Sequence, residues 1–430
     1  MNLSPSFRAV LVSGLVVAVA LPAGARELSL ADALRLAEER NERVAIAAQQ
    51  LAQAQIRLRA SWARLLPALT VGGRYRLNDR EVVRNAGTPA ELSIQKRTGT
   101  TGNVEARLSL FNVDTVPDIV TAKAEVQVES AAQELERREL QFAVVEAYLA
   151  AAIAQSAVRA AERSVETAHE IHRITEARVS VGAALPIDRM RSELALKRAE
   201  SMVIDARTVL VDARAFLQFL TVEEEPPEAR ESPQAIAAQL DLDREAQRRP
   251  DLAVLDRTVE LRRVAADWDW TAWAPELALS GNYQLTSDGG FSGQTERWWV
   301  DLTVRWDLFQ PGERWRDASL NASQARQAEL ELQLGERRAT YESLAARERL
   351  ASARAALATT ESRLALARET RRHVLKAYEA GRAGALDLVE AEDTLQTAEI
   401  ELTADRLALA QTQVRLLRAV GLEPLPQENP

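Results

Sequence analysis

The chain repeats itself, and that repeat constrains the fold more than any single motif. Residues 41–75 align with 249–283 at a constant offset of 208. Each copy runs from a charged, helix-favouring stretch into a proline, Pro67 or Pro275, and then alternates. In the first copy Leu69, Val71, Gly73, Tyr75 and Leu77 alternate with Thr70, Gly72, Arg74 and Arg76. In the second, Leu277, Leu279, Gly281, Tyr283 and Leu285 alternate with Ala278, Ser280, Asn282 and Gln284. Period two with one apolar and one polar face predicts a strand. A second strand follows in each copy. Val104, Ala106, Leu108 and Leu110 alternate with Glu105, Arg107 and Ser109; Val300, Leu302, Val304, Trp306 and Leu308 alternate with Asp301, Thr303, Arg305 and Asp307. Each strand is about 10 residues long, which suits a tilted strand crossing a bilayer. The polar stretch Asp79–Thr100 between the first two reads as an extracellular loop.

The repeat continues into helix. Runs rich in Ala, Leu, Glu, Arg and Gln extend over about 116–181 and about 316–380. Each would span on the order of 100 Å at 1.5 Å per residue. They end at Gly182 and Gly381, restart at Leu185-Pro186-Ile187-Asp188 and Ala385-Leu386-Asp387, and return over about 187–220 and 386–420. Pro226, Pro227 and Pro233 interrupt the helical pattern between the copies. The chain therefore divides into a signal peptide over 1–25, a first repeat over 26–225 with its hairpin at about 67–112, a linker or equatorial segment over 226–240, a second repeat over 241–422 with its hairpin at about 275–310, and a tail over 423–430.

The signal peptide rests on Arg8, the apolar run Ala9–Leu21 and the small-residue site Ala23-Gly24-Ala25. An N-terminal anchor is the alternative. Of the later stretches Ala143–Ala161 comes closest to a membrane helix, but Glu146 and Arg159 interrupt it. Without cysteine the chain has no thiol chemistry, disulfides or Cys-based zinc sites. A net charge of -9 argues against nucleic acid as a partner. The sequence offers no nucleophile elbow or phosphate loop, hence no enzyme and no cofactor. His169 and His172 stand i, i+3, yet no third metal ligand accompanies them.

Four strands cannot close a barrel, and an open sheet edge in lipid strands its backbone groups. Oligomerisation resolves this: three copies would supply twelve strands. The last helix repeats Leu388, Leu395, Leu402, Leu409 and Leu416 every seven residues, with a second line through Leu386, Ile400, Leu407 and Val414. Two seams predict a helix packed on both flanks, with left-handed supercoiling.

This layout resembles the TolC family of outer-membrane factors. The resemblance covers nearly the whole mature chain. It is carried by Leu65-Leu66-Pro67-Ala68-Leu69, by Arg249-Pro250-Asp251-Leu252 and Ala274-Pro275-Glu276-Leu277, and by Tyr378-Glu379-Ala380-Gly381 followed by Leu386-Asp387. It implies a mainly α fold with a membrane β-barrel part: two tandem repeats of long coiled-coil helices plus a β-hairpin, assembled as a homotrimer. A twelve-stranded barrel in the outer membrane would continue as a periplasmic α-helical barrel. The implied function is a passive conduit in a tripartite efflux or type I secretion system, docked to a periplasmic adaptor and an inner-membrane transporter. The other reading is a periplasmic structural coiled coil without a pore.

Several residues follow from this frame. Asp387 and Glu390, i and i+3 on one helical face, match the family's acidic constriction, and Tyr378 matches its gate tyrosine; Asp387 also suits plain helix N-terminal chemistry, and Tyr378 plain packing. Arg191 stands where the first copy would match Glu390, so the acidic ring falls to the second copy. The family's basic residue two positions after the tip glycine is here Ala383. The tips around Gly182, Leu185, Pro186, Gly381 and Ala385 are expected to meet the adaptor, with ordinary helix-turn chemistry as the alternative. Arg107 and Arg305 occupy matching polar positions expected to face a barrel lumen, as an anion-favouring ring or as solvated charge. Trp273, Trp298, Trp299 and Trp306 are expected at the membrane–water interface of the outer-membrane lipid.

Overall fold

A computed structural model describes residues 27–84, 87–88, 92–240, 247–287, 289, 294–309 and 312–424. The expected signal peptide over 1–25 and the end of the tail lie outside the described residues.

The first repeat opens with β1 (Glu27–Leu28), α1 (Leu30–Arg40) and α2 (Glu42–Ala63), then β2 (Ala68–Leu77), β3 (Val82–Arg84), β4 (Leu92–Gln95) and β5 (Thr98–Phe111). The long α3 (Thr115–Ser180) and α4 (Pro186–Thr221) follow. After β6 (Glu228–Ala229) and α5 (Pro233–Gln239), the second repeat runs α6 (Pro250–Asp267), a 3-10 turn (Asp269–Trp273), β7 (Glu276–Thr286), β8 (Glu296–Arg305), α7 (Glu313–Glu379) and α8 (Ala385–Ala419). Within the Asp79–Thr100 stretch, read above as a loop, β3 and β4 form a small antiparallel hairpin of their own.

The two main hairpins join in one antiparallel sheet of order β2-β5-β7-β8. β5 of the first repeat pairs with β7 of the second, Val104 opposite Tyr283 and Leu108 opposite Leu279. The repeats thus share a single wall. Among the described residues the outer edges of its two end strands, β2 and β8, pair with no further strand.

Helix packing follows the sequence stripes. α3 pairs with α4 and α7 with α8, while α2 and α6 lie along α3 and α6 also along α7. In α8 the first heptad line faces α7: Leu402 packs with Leu364 and Ala367, and Leu416 with Ala346 and Leu350. The second line divides. Val414 is fully buried, whereas Leu386 and Ile400 stay exposed.

The largest core sits halfway along α3. Leu140, Val144, Val145, Tyr148, Leu149 and Ala151 bury against α1, the end of α4, α5 and the end of α8. Around them β1 and β6 pair in parallel, Leu28 opposite Ala229. The Tyr148 hydroxyl donates to Leu28 O at 2.7 Å, contacts the Glu231 carboxylate and accepts the Arg230 amide at 3.0 Å. Burial and the neighbouring Glu231 push the Tyr148 phenol well above its usual value. By length and composition α3 does contain one window apolar enough to cross a bilayer, which corrects the exclusion above. Yet 72% of that window is buried inside the protein, so its apolarity serves this core.

Candidate functional site

Two regions hold the residues singled out above: the β wall and the helix tips at the far end of the long helices.

The register sorts the wall into two faces. On one, the row Val71, Val104, Tyr283 and Trp298 is followed by Leu69, Ala106, Gly281 and Val300. This face is apolar and open: Val71 is 74% exposed and Leu302 63%. Such a face in water would expose a contiguous patch far beyond what a soluble monomer shows, whereas lipid covers it. The opposite face carries Thr70, Glu105, Arg107, Asn282, Ser280, Asp301 and Arg305.

Arg107 and Arg305 do share this polar face, at different heights. Arg107 opposes Ala68 and Ser280, whereas Arg305 opposes Glu276, with 3.9 Å between guanidinium and carboxylate. Ser280 and Glu276 are four residues apart, about 13 Å along the strand. The two arginines therefore do not form one level, and one of them has an acidic neighbour.

The tryptophans split in the same way. Trp298 stands on the apolar face opposite Tyr283; Trp299 opposes Asn282 on the polar face, because neighbouring residues on a strand point to opposite sides. At the lower end Trp306 Nε1 donates to Trp273 O at 3.1 Å, and the Trp273 ring meets Trp315 edge-on at 5.7 Å. The Arg314 guanidinium lies 5.0 Å from the Trp273 ring centre. Trp298 and Trp306 are eight residues apart, about 27 Å along the strand, and strand tilt lowers that to roughly 20 Å. The apolar band of a membrane barrel is about 25 Å tall.

At the tips each long helix ends in the same backbone device. Gly182 and Gly381 take left-handed φ of 75° and 71°, and Ala183 N donates back to Arg178 O as Arg382 N does to Ala377 O, at 2.8 Å each. Glycine reaches this conformation without a Cβ clash, so the chain can turn at once. The return helices begin alike too. Asp188 accepts the Leu185 amide at 3.1 Å, and Asp387 accepts the Gly384 amide at 2.8 Å. Asp387 thus has a capping role, shared with its counterpart in the first repeat. Its carboxylate and that of Glu390 both lie at the surface. In the first repeat Arg191, at the position of Glu390, lies 3.7 Å from Asp188. Leu185 is 65% exposed, and Pro186 and Gly381 are exposed as well; Ala385 begins α8.

Tyr378 is only 3% exposed, packed among Ile171 of α3, Val374 and Leu375 of α7, and Leu388 of α8. Thr175 Oγ1 donates to Ile171 O at 2.8 Å, so in its 3.1 Å contact with Tyr378 the tyrosine hydroxyl is the donor. Arg178 donates to Tyr378 O at 2.5 Å and sets its guanidinium 4.4 Å from the ring centre. These contacts tie the end of α3 to the end of α7, some 200 residues away in sequence. Thr175 and Arg178 escaped the sequence reading, which sought a base beside the tip glycine of the same repeat. The available signal was an arginine in the last turn of α3. Further up α3, His172 Nδ1 lies 2.9 Å from Ser192 Oγ. Among the described residues no cluster of three His, Asp or Glu side chains could hold a metal ion.

An exposed apolar sheet face set on helices about 100 Å long defines an outer-membrane channel protein. The chain belongs to the outer membrane efflux protein family, whose profile matches residues 33–221 and 242–422, one block per repeat. It is accordingly an efflux channel protein of the outer membrane. Among curated proteins none matches this chain. Similar solved structures include the CmeC outer membrane channel of Campylobacter jejuni, at 16% identity and TM-score 0.73 over 93% of this chain and 87% of that one. VceC of Vibrio cholerae aligns at 15% identity and TM-score 0.74 over 91% and 96%. The open state of the Neisseria gonorrhoeae MtrE channel aligns at 18% identity and TM-score 0.74 over 92% and 89%.

Proposed function

We propose that three copies of this chain close a twelve-stranded barrel, joining the free edge of β8 on one copy to that of β2 on the next. The observation that carries this is the sheet itself, with an apolar face open to lipid and two edges that have no partner among the described residues. Unpaired strand edges are not tolerated in hydrocarbon, so closure requires more copies. Below the barrel the helices continue as a periplasmic tunnel. The tips around Gly182, Leu185, Pro186, Gly381 and Ala385 dock onto a periplasmic adaptor, which links the channel to an inner-membrane transporter. The assembly is a passive conduit and catalyses no reaction.

At the tip, Asp387 and Glu390 from three copies ring the axis and favour cations, and Tyr378 with Arg178 holds α7 against α3 at the constriction. Purified full-length protein in a planar bilayer tests the whole reading. A trimer that conducts, with block by trivalent cations from the tip side weakened by Asp387→Ala/Glu390→Ala, supports it. A monomer without conductance overturns the pore, and unchanged block removes the acidic ring.

A further inference from the structure

The polar face of the wall is charged unevenly. In its lower half acidic groups accompany the arginines: Glu276 faces Arg305, and Asp301 shares the row of Arg107. In its outer half the register gives the rows Gly72, Asn103, Gln284 and Arg297, then Arg74, Thr101 and Thr286, then Arg76 and Gly99. The central strands β5 and β7 are neutral there. On this face the charge at that height sits on the edge strands: Arg74 and Arg76 on β2, Arg297 on β8.

All three arginines are exposed. Among the described residues Arg74 and Arg76 have no hydrogen-bonding or ion-pair partner, and Arg297 donates only to Gly289 O at 3.4 Å. Among the described residues the nearest carboxylates on this face lie below. Asp301 is four residues from Arg297 on β8, and Glu105 is four residues from Thr101, the partner of Arg74. Four residues is about 13 Å, beyond the screening length of about 8 Å at physiological salt. Glu296, next to Arg297, belongs to the opposite face of β8, so among the described residues no carboxylate on the polar face of the outer half offsets these arginines.

The charged strands are also the two whose outer edges have no partner among the described residues. Closing a barrel edge to edge places the strand that carries Arg74 and Arg76 on one copy next to the strand that carries Arg297 on the next. We propose that the outer mouth of this channel carries three basic seams, one at each junction between copies, built by Arg74, Arg76 and Arg297, and that these seams bind multivalent oxyanions bearing phosphate or carboxylate groups. Planar guanidinium forks match such groups in geometry and charge. The inference rests on the trimeric barrel proposed above and adds a ligand class to its exit.

The test is single-channel recording of the full-length protein with tripolyphosphate as probe, added in separate arms to the loop side and to the helical-tip side. Wild-type current is expected to be blocked from the loop side. Block from both sides marks an exported anion that passes the seams; block from the loop side alone marks an external one. Arg74→Gln/Arg76→Gln/Arg297→Gln should weaken block about tenfold, and the corresponding lysine variant should keep most of it. Should the glutamine variant fail to assemble, salt decides on wild-type protein: raising KCl from about 0.1 M to about 1 M shortens the screening length from ~10 to ~3 Å and should relieve the block. Conducting wild-type protein that tripolyphosphate leaves unblocked, or block that survives the glutamine substitutions or high salt, overturns the seams. Wild-type protein that does not conduct overturns the pore reading instead.

Discussion

The long helices α3 and α7 are near twins in length, 66 and 67 residues, and opposites in what they bury. With the tip glycines aligned, Val144, Val145, Tyr148, Leu149 and Ile153 of α3 correspond to Ser343, Leu344, Arg347, Glu348 and Ser352 of α7. The α3 residues are buried, most of them completely, whereas Arg347 and Glu348 are exposed and Leu344 is 62% exposed. The difference lies in what packs outside each helix. β1, α1, β6 and α5 all gather on the middle of α3, while α7 meets mainly α6 and α8. One repeat anchors the protomer from within. The other keeps a surface on which Leu330, Leu334, Tyr341, Leu344 and Leu366 remain exposed, available to a neighbouring copy.

The most direct way to break this comparison is to truncate matched positions. Leu149 is 1% exposed, so Leu149→Ala should destabilise the helical part by about 2–5 kcal/mol. Glu348→Ala, at the corresponding surface position, should stay within about 0.5 kcal/mol. Chemical denaturation followed by far-UV circular dichroism checks both. Equal effects at the two positions would show that α3 and α7 share the anchoring after all.

This asymmetry is present in the sequence as composition, an alanine- and valine-rich block in one copy against an arginine- and glutamate-rich block in the other, but the repeat pattern alone pairs the two runs as equals. The hairpins were legible directly. Period-two alternation shows a strand's two faces without reference to what packs on them. The same rule, applied residue by residue, puts Trp299 on the face opposite Trp298. Contacts between repeats were not legible. Nothing local to Tyr378 announces that Thr175 and Arg178 meet it from α3, since that meeting is set by how two helices of about 100 Å lie together. The pairing of β1 with β6 was hidden too, because two-residue strands have no periodicity to detect. The arginines at 107 and 305 looked equivalent by position in the repeat, and only the register gave their different heights.

Tyr148 allows a finer cut at the same comparison. Its ring belongs to the α3 core, but its hydroxyl closes a knot between Leu28 O, the Glu231 carboxylate and the Arg230 amide. Tyr148→Phe keeps the ring and removes the hydroxyl, leaving buried polar groups without a partner. The expected loss is about 1–3 kcal/mol, smaller than for Leu149→Ala. Hydrogen exchange of the Arg230 and Glu231 amides should rise in the variant. Unaltered exchange would mean that apolar packing alone holds the inter-repeat segment on α3.

The smallest effects concern two glutamates on α3 whose environments pull in opposite directions. Burial opposes ionisation of Glu134, but hydrogen bonds from Arg137 and Arg138 outweigh it and hold the carboxyl below its usual value. Glu146, more buried, is raised by desolvation, with Arg418 and Arg415 only partly offsetting it. A carboxyl lowered in the fold contributes stability that is complete above the unfolded value of about 4.3 and is lost as pH falls through the folded one. A raised carboxyl contributes below the unfolded value, and that contribution is lost as pH rises through the folded one. Glu134→Gln should therefore reduce stability at neutral pH and flatten its decline on the acid side. Glu146→Gln should slightly increase stability at neutral pH, with the gain fading below about pH 4. Denaturation midpoints measured between about pH 3 and 8 decide it, because parallel curves for the two variants would contradict opposite shifts on one helix.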